Sequence, residues 1–366
     1  MKGNLFKCGN RVEIEGQNVG RFAAINFSED RNSLVNTCIV QLPVYAIGFS
    51  SNKPPESRVR AALSDVLIKP AARIKVYAWY YDNPTLSQSF EELLIFDGYI
   101  RQVIGGFPST LICEDHAFVL RFGQINKDWK ARTKLKDMID YLVPISNEAF
   151  KKYRDKQKLP KPDDFPKLKF DSTKSADVEF ALQSAKTISP YEALSKLLNL
   201  FSLYGYVYVE DNNALVYFGV GVREKFRRTV KLSTKTNVIG RDIVPKNGLF
   251  ENYKVVVSGI MKDGTRYTKE LGDSEGTPER FFSPLNTPEG IDEIATATMA
   301  RLKGNTNKGT ITTVLYPEVR LYDYVEYTDT LFSELSNNYY VIGKKLTCDQ
   351  NGYIQTLTVT DQMFVL

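Results

Sequence analysis

Residues 106–120 read GFPSTLICEDHAFVL, and residues 352–366 read GYIQTLTVTDQMFVL. Laid over one another at a shift of 246 positions, they agree at seven of fifteen places without a gap. In a strand, Leu111 and Cys113 share one face, as do Leu357 and Val359, while Thr110 and Thr356 point the other way. The residues upstream correspond in kind. RIKVYAWYYD (73–82) resembles RLYDYVEYTD (320–329), and ELLIFDGYIRQV (92–103) resembles NNYYVIGKKLTC (337–348), with a one-residue change in the turn. Each copy reads as a strand, a long excursion, and a hairpin closing at Gly106 or Gly352, so the echo predicts an internal duplication.

Around these copies the chain divides into three parts. In residues 1–125, RVEIEG, RFAAINFSED and NTCIVQLPVY read as short strands, and Gly48–Pro70 reads as a long loop. Residues 126–222 read as a small α/β unit. Its first helix has apolar spacing at Leu135, Met138, Ile139 and Leu142 and is expected to stop at Pro144. The Lys/Pro-rich stretch 149–169 reads as an exposed, partly extended insertion. Ser189-Pro190-Tyr191-Glu192 is a capping box opening a second helix, with Leu194, Leu197, Leu198 and Phe201 on its apolar face and Gly205 as its left-handed stop. A hairpin around Asp211-Asn212-Asn213 follows. Residues 223–366 return to strands, with a hairpin at Asp263-Gly264 and a helix from Pro288 to Gly304. The expected fold is mainly β with an α+β insert: two related tube-like β-barrel domains flanking a small α/β domain.

The composition agrees. The 366 residues include 21 Tyr, 21 Phe and 2 Trp, with 43% hydrophobic and 25% charged residues, an ordinary balance for a folded protein rich in strands. A net charge of +5 is spread among nearly as many acids as bases, unlike the concentrated basic stripe of a nucleic-acid binder. Four widely spaced cysteines (Cys8, Cys38, Cys113, Cys348) and one histidine give no zinc-ligand pattern and read as buried thiols of a reducing compartment. No signal-like apolar run opens the chain, and no apolar run approaches the roughly 20 residues that cross a bilayer.

Catalytic constellations are weak. His116 is the single candidate for a histidine dyad. Placed in a strand three residues from Cys113, it faces the opposite side. The acid pairs Glu91-Glu92, Glu114-Asp115 and Asp163-Asp164 read as exposed turns more than as glycosidase carboxylates. GVGVREKFR (219–227) and LKGNTNKG (302–309) do not match phosphate-loop patterns. Arg223, Lys225, Arg227 and Arg228 sit at the joint before the last part and read as a solvated face, with a subunit interface as the other reading. No catalytic, metal or cofactor-binding residue is assigned, and no enzyme activity or cofactor is expected.

The order barrel, α/β insert, barrel resembles the baseplate hub proteins of contractile-tailed phages, the late control protein D family, and the base of type VI secretion spike proteins. The residues carrying the resemblance are LLIFDGYIRQV with STLICEDHAFVL, ISPYEALSKLLNLFSLYGYVYVEDNNALVYFG, and NNYYVIGKKLTCDQNGYIQTLTV. It implies a virion structural protein of a tail baseplate, made in the bacterial host cytoplasm. Three chains would present six similar barrels, adapting a sixfold tail tube to a threefold spike. Its partners would be two further copies, the spike, and the tube or its initiator, with DNA passing through the channel unbound. The alternatives are a receptor- or carbohydrate-binding adhesin with exposed aromatic rings, and a cell-wall hydrolase.

Overall fold

Alternation of Val, Ile, Leu and Tyr with polar residues makes the strands, and a computed structural model joins thirteen of them in one sheet. It describes residues 7–43, 68–81, 92–105, 108–127, 133–160, 167–171, 179–180, 188–201, 204–210, 213–219, 228–246, 253–261, 263–283, 285–303, 306–315, 318–349 and 352–361. Most of the loop expected at Gly48–Pro70, the acids Asp163-Asp164, and the basic residues Arg223, Lys225 and Arg227 lie outside these residues, as do Gly106 and the last five positions of the echo.

The first part supplies β1 (Lys7–Ile14), β2 (Gln17–Gly20), β3 (Ala24–Asp30), β4 (Thr37–Leu42), β5 (Arg73–Tyr81), β6 (Leu93–Ile104) and β7 (Ser109–Asp115). The middle supplies β8 (Thr133–Lys134), α1 (Leu135–Lys156), β9 (Lys167–Phe170), β10 (Glu179–Phe180), α2 (Pro190–Phe201), β11 (Tyr204–Glu210) and β12 (Asn213–Gly219). The last part supplies β13 (Thr229–Ser233), β14 (Val238–Lys246), β15 (Tyr253–Ile260), β16 (Arg266–Gly272), β17 (Thr277–Phe282), α3 (Pro288–Lys303), β18 (Thr306–Val314), β19 (Tyr324–Thr328), β20 (Asn337–Asp349) and β21 (Gly352–Thr360). No helix among the described residues is long and apolar enough to cross a membrane.

The duplication extends over six strands. Neighbours in the first part run β3-β4-β7-β6-β5-β1, and in the last part β14-β18-β21-β20-β19-β13, with equivalent strands in the same chain order. One difference is orientation: β1 is antiparallel to β5, whereas β13 is parallel to β19. The echo places Cys113 over Val359. In the sheet Cys113 pairs with Ile100 and Val359 with Val341, and in both copies the partner strand then skips a residue, at Arg101 and at Ile342. The same β-bulge thus sits at the same place twice. Leu111, Cys113, Leu357 and Val359 are buried, and Thr110 and Thr356 are half-buried on the other face.

Equivalence upstream differs from the sequence reading. Tyr99 and Tyr340 occupy matching positions beside the bulges, and Arg73 matches Tyr324, so both upstream stretches are displaced by four residues from the sequence alignment. The second hairpin is longer by five residues between its equivalent pairs, Ile104–Thr110 and Lys345–Thr356, and that length hid the true offset.

Several local expectations are corrected. Pro144 does not end α1. It is exposed, on the side where carbonyls tilt toward water, while Leu142, Val143, Ser146 and Phe150 continue the buried stripe. Packing of that stripe outweighs the roughly 3 kcal/mol an interior proline costs. The insertion 149–169 therefore begins as helix and ends in β9, whose Leu168 is clamped by Asn147 through bonds of 2.8 and 3.2 Å. Gly205 is not a helix stop but a strand residue paired with Phe218. The capping box forms as read, with Ser189 N–H donating to Glu192 at 3.1 Å and Glu192 N–H to Ser189 Oγ at 3.2 Å. Of the apolar face expected for α2, Leu194 is buried; the side chains of Leu197, Leu198 and Phe201 lie outside the description.

The last part also holds a second α/β layer. β15 pairs antiparallel with β16 and parallel with β17, and α3 seals one face through Ile291, Ala295 and Met299 against Val255 and Val257. It is inserted between β14 and β18. In the first part the corresponding strands, β3 and β4, are joined by a short turn.

Candidate assembly surface

The two repeated units meet in one strand. β20 pairs through Asn337–Tyr340 with β19, passes the bulge at Ile342, and then pairs through Gly343–Cys348 with β3. An extra residue in a strand turns its following side chains over. Tyr339 and Val341 accordingly enter the last part's core, whereas Leu346 and Cys348 enter the first part's core beside Tyr353. Tyr353 O–H donates to Gly9 O at 2.6 Å, and the Gln355 amide donates to Val314 O at 2.8 Å and Leu315 O at 2.9 Å. Lys344 is buried at this joint opposite Glu29; burial pushes the Glu29 carboxyl up, opposed by the lysine charge.

Two rows of the solvent face across the joint are nearly neutral. One row crosses five strands as Thr312, Thr356, Lys345, Ser28 and Thr37, and the next as Ile354, Thr347, Asn26, Ile39 and Ile112. None of these is buried, and Lys345 alone among them is charged.

Polar pins hold the first part and its helical cover together. Arg73 grips Asp97 through two bonds of 3.0 and 2.7 Å. Burial would raise the Asp97 pKa, but His116 and Arg73 beside it outweigh that and hold the carboxyl well below the usual range. His116 Nε2 stands 3.6 Å from Asp97, beyond hydrogen-bond reach, so Arg73 is the firm partner. Arg154, near the end of α1, forks onto Glu15 with both distances 2.9 Å and also donates to Ala71 O and Pro160 O. In the last part, Asp329 takes Arg241, the Tyr327 hydroxyl at 2.9 Å, and the N–H groups of Leu331 and Phe332 at 2.9 Å. Sequence spacing missed these pairs because their partners are remote; one signal was Arg154, which falls on the buried stripe of α1 four residues after Phe150.

His116 does not lie in a strand: β7 ends at Asp115, which caps a 3₁₀ turn over His116–Arg121 by accepting from Ala117 N–H at 3.0 Å. The His116 ring meets the edge of Tyr99 at 5.5 Å. Burial pushes the Cys113 thiol far up, as suits a packed thiol. Glu114 is not in an exposed turn but buried between Arg101, at 2.8 Å, and Arg121, at 3.0 Å. Asp115 is buried and takes N–H bonds from Asn36 and Ala117. Glu92 binds Arg11 at 2.7 Å, and Glu91 lies outside the described residues. Arg228 clasps Asp323 at 2.7 Å. The structure does not join these residues into one cleft, and no group of three metal-type ligands occurs among the described residues. The bulky tyrosines Tyr99, Tyr217, Tyr339 and Tyr353 are fully buried.

Burial raises the Asp115 pKa from 3.8 to about 7, against the opposing N–H bonds. An acid with a raised folded pKa favours the fold below its unfolded value, and that contribution fades as pH rises through the folded value. The thermal midpoint is therefore expected to fall between pH 3.8 and about 7 more steeply in the native protein than in Asp115→Asn. Parallel midpoint curves for the two proteins would refute this role for Asp115.

No protein-family model matches the sequence, and no curated protein matches it. Among solved structures, the chain is similar to a tail protein from Neisseria meningitidis MC58, at 12% identity and a TM-score of 0.58 over 97% of both chains. It is similar to the 43 kDa tail protein of prophage MuSo2 from Shewanella oneidensis, at 13% identity and a TM-score of 0.54 over 96% of this chain and 97% of that one. A chain of the Francisella PdpA–VgrG complex in its half-lidded form matches at 11% identity and a TM-score of 0.50, over 98% of this chain and 59% of that one. With two six-strand repeats, mainly antiparallel and joined through β20, the chain has the fold of phage and prophage tail proteins.

Proposed function

We propose that the chain is the structural hub of a phage-type tail baseplate, built from the units 1–125, 126–222 and 223–366. Three copies present six related barrels, matching a sixfold tube on one side and a threefold spike on the other. The observation that carries this reading is the strand-for-strand repeat with its shared bulge at Arg101 and Ile342, since quasi-equivalent units are what a three-to-six adaptor needs. The neutral Thr/Ser/Asn face across β3, β4, β20 and β21 suits a channel wall: DNA is held chiefly by Lys and Arg at its phosphates, and a wall nearly without them lets it pass. In this reading the chain works without catalysis, in the virion tail, with the spike and the tube or its initiator as partners.

Light scattering over a concentration series tests the stoichiometry. The expected species has three times the 41.6 kDa chain mass, with a central hole in projection. A protein that stays at single-chain mass up to the highest soluble concentration, alone and with the spike, overturns the reading.

A further inference from the structure

Two of the buried cysteines face each other. Cys38 on β4 pairs directly with Cys113 on β7, and both are fully buried free thiols. The row they share runs Leu346, Phe27, Cys38, Cys113, Ile100, and every side chain in it belongs to the first core. Asp115 N–H donates to Asn36 O at 3.1 Å, which makes Asn36 and Asp115 a hydrogen-bonded pair of the ladder. Two residues further in on each strand, Cys38 and Cys113 form the next such pair. Cα atoms of hydrogen-bonded pairs lie about 5.5 Å apart, the separation at which disulfides are commonest. Directly opposed side chains leave the sheet on the same face, so the two sulfurs start out side by side. The Cys113 sulfur adds to burial in pushing the Cys38 thiol up, as a close neighbour does.

The repeat shows that this rung needs no thiol to pack. In the last part the equivalent pair is Gly309 and Val359, and the ladder closes around it without sulfur. We propose that Cys38 and Cys113 form a modification site, a dithiol that closes to a cross-strand disulfide when the protein meets an oxidant of the small-molecule disulfide class. One cysteine sulfur, as thiolate, attacks the small disulfide and displaces one small thiol. The other cysteine sulfur then attacks that mixed disulfide and displaces the second. Two protein thiols are oxidised to one S–S bond, the small disulfide is reduced to two thiols, and the two protons leave on them. The bond ties β4 to β7 inside the sheet and closes a loop of about 75 residues, which constrains the unfolded chain. Burial keeps both thiols protonated, so closure is slow at neutral pH and the pair stays reduced through folding in a reducing compartment. The occasion for closing, release of a finished tail into oxidising surroundings, rests on the hub reading; the bond itself does not.

The native protein, incubated with oxidised glutathione at about pH 7 and about pH 9, is then unfolded, alkylated and peptide-mapped. The expected product joins two peptides through Cys38 and Cys113, leaves Cys348 alkylated, and forms several-fold faster at the higher pH. Its thermal midpoint is expected to lie about 5 °C above that of the reduced protein, a gain that dithiothreitol abolishes. Cys113→Ala, treated alike, is expected to show neither the bond nor the gain. A protein in which Cys38 and Cys113 both remain open to alkylation, or carry glutathione singly, overturns the proposal. So does a 38–113 bond that appears only in urea, or one that lowers the midpoint. Light scattering on the same samples separates the two readings: a bond formed in a protein that never assembles upholds the site and removes the hub.

Discussion

Tyr353→Ala is expected to lower stability by about 3–5 kcal/mol, the usual cost of emptying a fully buried aromatic site. It is also expected to split one thermal transition into two. Tyr353 is 1% exposed and lies in the core of the first part, although its strand belongs to the last. With Leu346 and Cys348 it forms the tip through which the β20–β21 hairpin is packed into the other unit. Its hydroxyl is bonded to Gly9 O, so removal also leaves a buried carbonyl without that donor. Loosening the tip weakens the coupling between the two cores more than either core itself. Calorimetry reads both effects; Tyr353→Phe, which keeps the ring and loses the bond, should cost about 1–3 kcal/mol and keep a single transition. A single transition in Tyr353→Ala, displaced by less than 1 kcal/mol, would show that the hairpin tip does not couple the units.

Arg154→Ala is expected to cost a further-reaching 3–5 kcal/mol, roughly what is lost when one partner of a buried ion pair is removed. The side chains of Arg154 and Glu15 are 8% and 0% exposed. Glu15 sits in the β1–β2 turn at φ 51°, beside Gly16 at φ 76°, a left-handed pair that fixes where its carboxylate points. Without Arg154 that carboxylate keeps its bond from the Arg73 N–H, at 2.6 Å, but its charge is uncompensated. Adding Glu15→Gln to Arg154→Ala should therefore recover part of the loss. Denaturant unfolding of the single and double variants decides; strictly additive losses would mean that the pair contributes packing and no charge coupling.

The parts of this fold written in local pattern were legible. Alternation along STLIC and YIQTLTVTD gave the right buried faces, and the Ser189–Glu192 box and the Asp263-Gly264 turn formed as read. What failed depended on distant partners. Pro144 reads as a stop until Phe150 is seen packed at 4.9 Å against Tyr99. His116 reads as strand until Asp115 caps the next turn. The parallel pairing of β15 with β17 leaves no mark of its own on the sequence. The four-residue misalignment upstream arose because stretches rich in Tyr and Val match equally well at several offsets, and only the bulge fixes the true one. The joint between the two repeats was hidden for the same reason: β3 and β20 come from opposite ends of the chain.

The shared bulge also determines where this chain can change length. A residue lost at Ile342 would reverse every side chain beyond it, turning Leu346 and Cys348 to water and Lys345 and Thr347 inward. A loss at Arg101 would do the same to Val103. The hairpin ends obey no such parity rule, and there the two copies already differ by five residues, although in the second copy Leu346, Cys348 and Tyr353 near the tip are held by the first core. Insertions and deletions in related chains should therefore gather at the hairpin ends and leave the residue count from bulge to core unchanged. The bulge is the zero mark of a ruler, and length can change only beyond the last residue that a core holds.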